Sequence, residues 1–230
     1  MFSHTINNPN NLVIVDFRDI YTVIPFGHRC TSALACKYSG VRKYSFPFDW
    51  VIPLYPGKIK DILENDFEDF IPDVHRNLFH NKYNVSLKHF NKDIDVGIQE
   101  YERRIVRFKN VMTEPDTKYF VYINEDYFYE EAYRQDDLNE AIFNEMLDLE
   151  KYIKNKYVGI KYRILYFNFK RHTIPSDSNI IGITLDTTRV FTNRKTAPFE
   201  NFRNYCGQIL SEIFKTPLTL DGYNEETFAN

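Results

Sequence analysis

The stretch Val23-Ile24-Pro25-Phe26-Gly27-His28-Arg29-Cys30-Thr31-Ser32-Ala33-Leu34 contains the change of structural period that decides the fold. Residues 21–26 are apolar or β-branched, which predicts a short buried strand. Gly27 permits a tight turn, and the two hydroxyl residues that follow Cys30 can cap a helix over residues 31–38. The stretch therefore predicts a strand, a turn and a helix, with Cys30 at the junction.

Helical and strand-length segments alternate along the rest of the chain. Apolar side chains spaced three and four residues apart predict helices over 98–112, 138–153 and 199–213, and a proline at the first turn predicts another over 56–63. The apolar face of that helix continues through Phe67, Phe70 and Ile71 until Pro72. Apolar runs of strand length cover 12–17, 118–123, 162–169 and 180–185.

This alternation is typical of a largely parallel sheet that helices cover on both faces. We therefore expect an α/β fold, with one layered domain over residues 1–230. The tails at 1–11 and 216–230 are expected to be irregular, as are the polar segments 124–135 and 171–179, because they lack a period.

Composition excludes several classes of protein. The chain has 230 residues and a net charge of −3 from 29 basic and 32 acidic side chains, so no strong positive field favours nucleic acid or an acidic membrane. No apolar run of about 18 residues predicts a transmembrane helix, and the polar N-terminus has no signal core. Three cysteines, an odd number, match no zinc or redox spacing and favour a reducing, cytoplasmic location.

Cys30 is the strongest candidate for chemistry. Unpaired amide groups and the helix dipole at the start of a helix favour a thiolate, so the position predicts a lowered pKa. The competing interpretation is that Cys30 is a small apolar filler, since free cysteine is often buried. Cys206 lies on an apolar helical stripe and is expected in the core.

Several motifs occur together in a fixed order over residues 22–170. They are Gly27-His28-Arg29-Cys30, Ser45-Phe46-Pro47-Phe48-Asp49-Trp50, Asn81-Lys82-Tyr83-Asn84-Val85-Ser86-Leu87-Lys88-His89-Phe90, Tyr101-Glu102-Arg103-Arg104 and Tyr119-Phe120-Val121-Tyr122-Ile123-Asn124. In these motifs the chain resembles a family described as papain-like cysteine peptidases, formerly a domain of unknown function. The resemblance implies that Cys30 is the nucleophile and His89 the general base.

A third polar group would orient the imidazole in such an enzyme. Asp49 is the first choice, because a carboxylate between Phe48 and Trp50 is expected to be partly buried and to need a partner. Asn124, at the end of a predicted strand, is the second choice. Each has a structural alternative: Asp49 can cap a turn or accept amide hydrogen bonds, and His89 can end a strand at the surface. His28 and His80 are alternative bases.

Further side chains are candidates for binding. They are Gly27, His28, Arg29, Trp50, Arg103 and Asn124. The amides from Gly27 to Ser32 could bind a phosphate, sugar or carboxylate, with help from Arg29 or Arg103. Arg103 and Arg104 could equally lie on a solvated helix face.

Two functions follow from these residues. The first is a cysteine-dependent hydrolase or acyl transferase that acts on a peptide or small molecule, without cofactor or metal. The alternative is a binding module in which Cys30 has no chemical role. The resemblance also implies an alternative fold, papain-like α+β, in which the nucleophile helix packs against a mainly antiparallel sheet.

Overall fold

A computed structural model of the chain describes residues 5–7, 20–72, 81–88, 93–125, 135–185 and 198–216. The strands are β1 (Thr5–Asn7), β2 (Tyr21–Pro25), β3 (Val51–Ile52), β4 (Ser86–Leu87), β5 (Thr117–Ile123), β6 (Tyr162–Asn168) and β7 (Ile180–Thr184). The helices are α1 (Thr31–Tyr38), α2 (Pro56–Glu64), α3 (Ile94–Val111), α4 (Gln135–Lys156) and α5 (Pro198–Phe214). The strand predicted over 12–17 lies outside the described residues.

The main sheet has the strand order β1-β7-β6-β5-β2. Strands β2, β5, β6 and β7 are parallel to one another, and β1 pairs antiparallel with β7. This confirms the α/β fold class, and the parallel pairing shows that the papain-like α+β alternative was wrong. The prediction of an irregular tail over 1–11 was also wrong for β1, because its backbone pairs with β7 from Thr5 opposite Thr184 to Asn7 opposite Gly182.

Helices cover both faces of the sheet. Along β5, Tyr119, Val121 and Ile123 face the core shared with α1 and α5, whereas Phe120 and Tyr122 face the core shared with α2, α3 and α4. A strand places successive side chains on opposite faces, so a strand covered on both faces is apolar throughout. That is why the apolar runs in this sequence do not alternate with polar residues.

The second helix is confirmed close to its predicted bounds, but its apolar face continues beyond the end of the helix. Helix α2 ends at Glu64, and Asp66, Phe67 and Asp69 have positive φ angles of 51°, 66° and 52°. The backbone therefore turns out of the helix while the side chains of Phe67 and Phe70 remain in the core. Burial of the two rings produced a helical pattern beyond the end of the helix.

A short antiparallel ribbon lies beside the main sheet. Val51 of β3 pairs with Leu87 of β4, and Ile52 pairs with Ser86. The ribbon continues at one end, where the Lys88 N–H donates to the Trp50 carbonyl oxygen at 2.7 Å. Its strands are too short to show a period, so no pattern in the sequence indicates the ribbon.

Phe26 is the residue whose packing carries the end of β2 into the core. It is fully buried, its ring stacks on Phe120 with a centroid distance of 4.4 Å, and it meets the edge of Phe48 at 5.4 Å. We expect Phe26→Ala to lower the free energy of unfolding by about 3–5 kcal/mol, because it removes these contacts and leaves a cavity. Urea unfolding followed by tryptophan fluorescence measures the loss. Val106→Ala, at an exposed position of α3, is the control and should change stability by less than about 0.5 kcal/mol.

Candidate functional site

The turn after β2 lies at the carboxyl edge of the parallel strands. Cys30 is the N-cap residue of α1, and its carbonyl oxygen accepts the Leu34 N–H at 2.9 Å. In open α/β sheets this edge is where ligands bind, because the strand ends and the helix starts meet there. The predicted strand, turn and helix are confirmed, and the junction falls at Cys30.

Gly27 is required by the close approach of the turn to the first turn of α1. A β-carbon at Gly27 would overlap the Ser32 side chain and lie 2.7 Å from the Arg29 carbonyl oxygen. Ser32 is held there because its hydroxyl accepts the backbone N–H of Ile123, at the end of β5, at 3.1 Å. The start of α1 is thus fixed directly to the neighbouring strand.

Charged groups from three separate parts of the chain surround Cys30. One Arg203 nitrogen lies 3.7 Å from the Cys30 sulfur, and Arg203 Nε donates to the Thr31 hydroxyl at 3.4 Å. Thr31 itself donates to the buried Glu125 carboxylate. The other oxygen of Glu125 is 3.7 Å from Arg29 Nε. Two guanidinium groups and one carboxylate therefore lie around Cys30. We define the Cys30 cluster as Arg29, Cys30, Thr31, Glu125 and Arg203.

The resting state of Cys30 is the neutral thiol. Burial raises the pKa of the Cys30 thiol above its ordinary value, and Glu125 adds to the rise. Arg203 and Arg29 act in the opposite direction but do not reverse the net shift. The lowered pKa expected from the helix start alone is therefore wrong, because removal of the sulfur from water outweighs the favourable charges.

The other two cysteines are fully buried between α1 and α5. Burial raises the pKa of Cys36 and of Cys206 far above the ordinary thiol value. Cys206 lies in the core, as its helical stripe predicted. Cys30, which is partly exposed, is thus the one cysteine of the three that solvent can reach.

Asp49 is buried, but its carboxylate lies outside the Cys30 cluster. Its carboxylate accepts hydrogen bonds from Arg42 and, at 3.1 Å, from the Phe46 N–H. Burial raises the pKa of Asp49, while Arg42 and the Phe46 amide oppose the rise. These contacts match the structural alternative for Asp49, a carboxylate that closes a turn, and they supply the partner that its burial required.

Trp50 connects this turn to the Cys30 region. It is buried against Ala33 and Leu34 of α1, in a small apolar cluster on which Cys30 also packs. The Arg42 guanidinium lies over the Trp50 ring, 5.4 Å from its centroid. Asp49 therefore acts on the site indirectly, because it holds the arginine that covers this ring.

His28 lies inside the protein, although it is two residues from Cys30. Its ring packs on Tyr55 with a centroid distance of 4.7 Å, and its carbonyl oxygen accepts the Leu54 N–H. Burial, together with Arg29 and Lys58, lowers the pKa of His28 to about 3. An imidazole with so low a pKa is a weak base, which disfavours His28 as the general base.

The remaining predicted residues lie in different places. His80 and His89 are outside the described residues, so both stay predictions. Arg103 is exposed on α3, along a groove that Tyr44 and Arg107 also line, whereas Arg104 is buried over the Tyr101 ring. The structure thus does not bring Arg103 into the Cys30 cluster.

Asn124 belongs to a buried polar network at the same edge of the sheet. Its side-chain nitrogen donates to the Asn139 oxygen at 3.0 Å and to the Asn168 oxygen at 3.3 Å. Asn168 lies 2.7 Å from His172 Nε2, and His172 Nδ1 is 3.4 Å from a Glu140 oxygen. The network joins the ends of β5 and β6 to α4, and it fixes the backbone immediately before Glu125.

Sequence reasoning missed Glu125 and Arg203. Glu125 follows a predicted strand directly, so the rule that ligands gather at strand ends could have found it. Arg203 carried no such signal, because it lies on an ordinary helical segment 173 residues from Cys30. Only the packing of α5 against α1 brings Arg203 to Cys30.

The fold and site together define an α/β protein with a partly exposed thiol, flanked by arginine, at the carboxyl edge of its parallel strands. A scan against models of known protein families, a search of curated proteins and a search of solved structures each find no match. Within the described ranges, no cluster of three or more His, Cys, Asp or Glu side chains could hold a metal ion. The described helices include none that is long and apolar enough to cross a membrane.

The buried His28 makes stability depend on pH. Its pKa is about 3 in the folded protein and 6.5 when unperturbed, so the unfolded chain binds a proton between these values that the folded chain does not. The His28 contribution is complete above pH 6.5 and declines by about 1.4 kcal/mol per pH unit below it. Urea unfolding from pH 7 to 4.5 should show a steeper decline for the wild type than for His28→Phe. Parallel curves would contradict the assignment.

Asn124→Ala should lower the free energy of unfolding by about 2–3 kcal/mol. The change removes both donors of the Asn124 side chain and leaves the buried oxygens of Asn139 and Asn168 with fewer partners. The matched control is Asn110→Ala, at an exposed position of α3, which should lie within about 0.5 kcal/mol of wild type. Equal stability of the two variants in urea would show that the network does not support the fold.

Proposed function

We propose that the protein is a cysteine-dependent hydrolase or acyl transferase in which Cys30 is the nucleophile and His89 the general base. One observation carries the proposal: a partly exposed thiol at the carboxyl edge of the sheet lies 3.7 Å from the Arg203 guanidinium. A cation at that distance favours the negative charge that develops on sulfur when the thiol loses its proton. Cys36 and Cys206 are buried and do not have this access.

The raised pKa of Cys30 determines which mechanism is reasonable. Because the thiol is protonated at rest, attack on a carbonyl needs a base that takes the proton as the bond between sulfur and carbon forms. The leaving amine or alcohol then receives that proton, which leaves a thioester on Cys30. Water or a second nucleophile cleaves the thioester and regenerates the thiol. Amide groups at the start of α1, which have no partner within the helix, could donate to the oxyanion.

The choice of His89 rests on the motif resemblance, and the β3–β4 ribbon supports it. Lys88, the residue before His89 in the sequence, donates its N–H to the Trp50 carbonyl oxygen at 2.7 Å. Trp50 packs with Ala33 and Leu34 in the apolar cluster that Cys30 contacts. The described segment that leads to His89 therefore ends, at Lys88, next to Trp50, which belongs to the apolar cluster that Cys30 contacts.

Asp49, as first choice, and Asn124, as second, are the candidates for the third polar group that would orient the imidazole. Asp49 supports the proposal through Arg42 and Trp50, since these contacts fix the surface on which Cys30 packs. Asn124 holds the strand end before Glu125.

Three unpaired cysteines are also compatible with a reducing, cytoplasmic location.

The second candidate function is a binding module for an anionic ligand. Arg29 and Arg203 favour it, because both guanidinium groups lie at the start of α1 beside Cys30. In that case Cys30→Ser would retain ligand binding, and the thiol would have no chemical role.

The proposed enzyme should become acylated on Cys30 by an activated ester. We expect p-nitrophenyl acetate to release p-nitrophenol and to leave an acetyl group on Cys30, located by peptide mass spectrometry. Cys30→Ala should abolish the acylation while it changes stability little, and His89→Ala should slow it at least tenfold at pH 7, because the neutral thiol would lack its base. Cys36 and Cys206 serve as internal controls that remain unmodified until the protein unfolds.

Two results would count against the proposal in different ways. A Cys30 thiol that reacts only after unfolding would show that it is a structural residue and would favour the binding module. A Cys30 thiol that reacts equally fast in His89→Ala would reject the pair while it keeps the nucleophile.

A further inference from the structure

We infer that Arg203 makes the Cys30 site selective for substrates that carry a carboxylate next to the carbon that the sulfur attacks. This inference rests on the proposed function, since it concerns the substrate of the same site. Its basis is the set of charges in the Cys30 cluster and the partners that each charge has.

The two arginines of the cluster differ in what they contact. Arg29 Nε faces the buried Glu125 carboxylate at 3.7 Å, so a negative charge inside the protein opposes its positive charge. Arg203 instead donates to the Thr31 hydroxyl and lies beside the Cys30 thiol, both of which are neutral at rest. Glu200, one turn earlier on α5, is exposed to solvent and therefore screened. The guanidinium of Arg203 is thus the cation available to an incoming anion.

The sum of these charges indicates a monoanion. Arg29, Arg203 and the buried Glu125 carry one net positive charge when Glu125 is ionised, which a carboxylate would balance. A phosphate dianion would leave an excess negative charge close to Glu125, in surroundings that screen it poorly. The planar guanidinium group also matches the two oxygens of a carboxylate.

The position of Arg203 fixes where that carboxylate would lie. Its nitrogen is 3.7 Å from the sulfur, so a group bound to the guanidinium would lie within one or two bonds of the carbon that the sulfur attacks. Acyl compounds in which the carboxylate carbon lies one or two bonds from the acyl carbon have this arrangement. Arg203 then has two effects, since the charge that binds the substrate also stabilises the thiolate as it forms.

Two alkylating reagents with the same leaving group test the inference without any assumption about the natural substrate. Iodoacetamide is neutral and iodoacetate carries a carboxylate; with each, the sulfur binds the methylene carbon, iodide leaves and the thiol proton passes to solvent. We expect the ratio of the iodoacetate rate to the iodoacetamide rate at Cys30 to exceed the ratio in the urea-unfolded chain about five- to tenfold. Peptide mass spectrometry of quenched samples gives both rates.

Variants then assign the selectivity to one side chain. Arg203→Gln should lower the ratio to that of the unfolded chain, whereas Arg203→Lys should retain part of it because the charge remains. The matched control is Arg103→Gln, on the exposed face of α3, which should leave the ratio unchanged. Added salt should lower the wild-type ratio progressively. This measurement tests the inference even if Arg203→Gln does not fold.

The outcomes separate the inference from the proposed function. A Cys30 thiol that reacts with both reagents in the same ratio as the unfolded chain, or a ratio that Arg203→Gln and salt leave unchanged, overturns the inference and leaves the nucleophile intact. A Cys30 thiol that reacts with neither reagent in the folded protein rejects the proposed function itself. Protection of Cys30 from iodoacetamide by inorganic phosphate but not by acetate would overturn the choice of a carboxylate.

Discussion

The parallel pairing of β2 with β5 is the constraint on which the rest of the structure depends. The pairing runs from Tyr21 opposite Thr117 to Pro25 opposite Val121, and the Phe26 N–H extends it by a bond of 2.8 Å to the Val121 carbonyl oxygen. Ser32 then accepts the last amide of β5, so the strand and the helix that follows it are both fixed to the same neighbour. The chain must reverse direction within a few residues, and that requirement leaves room only for glycine at the turn.

The same constraint determines the electrostatics of the site. Because β2 and β5 end side by side, the turn that carries Cys30 meets Glu125, which follows β5 directly. A buried carboxylate beside a thiol opposes ionisation of the thiol, so the arginines are needed to balance it. Arg29 lies opposite Glu125, and Arg203 lies opposite the sulfur. Burial of the sulfur raises the pKa of the Cys30 thiol, and the two arginines limit the size of that rise.

Buried polar groups extend this arrangement along the sheet edge. Asn124 and Asn168 follow or end neighbouring strands, and their side chains bond to each other and to residues of α4 and the segment after β6. Such a network is costly unless its members find partners, because each buried amide loses its bonds to water. When its bonds are made, it fixes the strand end that positions Glu125. The polar edge of the sheet is therefore part of the fold as well as part of the candidate site.

Within the described residues, the sequence by itself determined the α/β class, the four parallel strands, the five helices and the junction at Cys30, because period and turn residues are local properties. Two buried phenylalanines continued the apolar face beyond the end of α2, and the sequence did not indicate β1 or the ribbon. Only the tertiary structure decided the ionisation of Cys30 and its neighbours. Burial is a property of the whole packed molecule, and the contact between Cys30 and Arg203 joins residues 173 positions apart. No local pattern encodes such a contact, since it exists only after α5 has packed on α1.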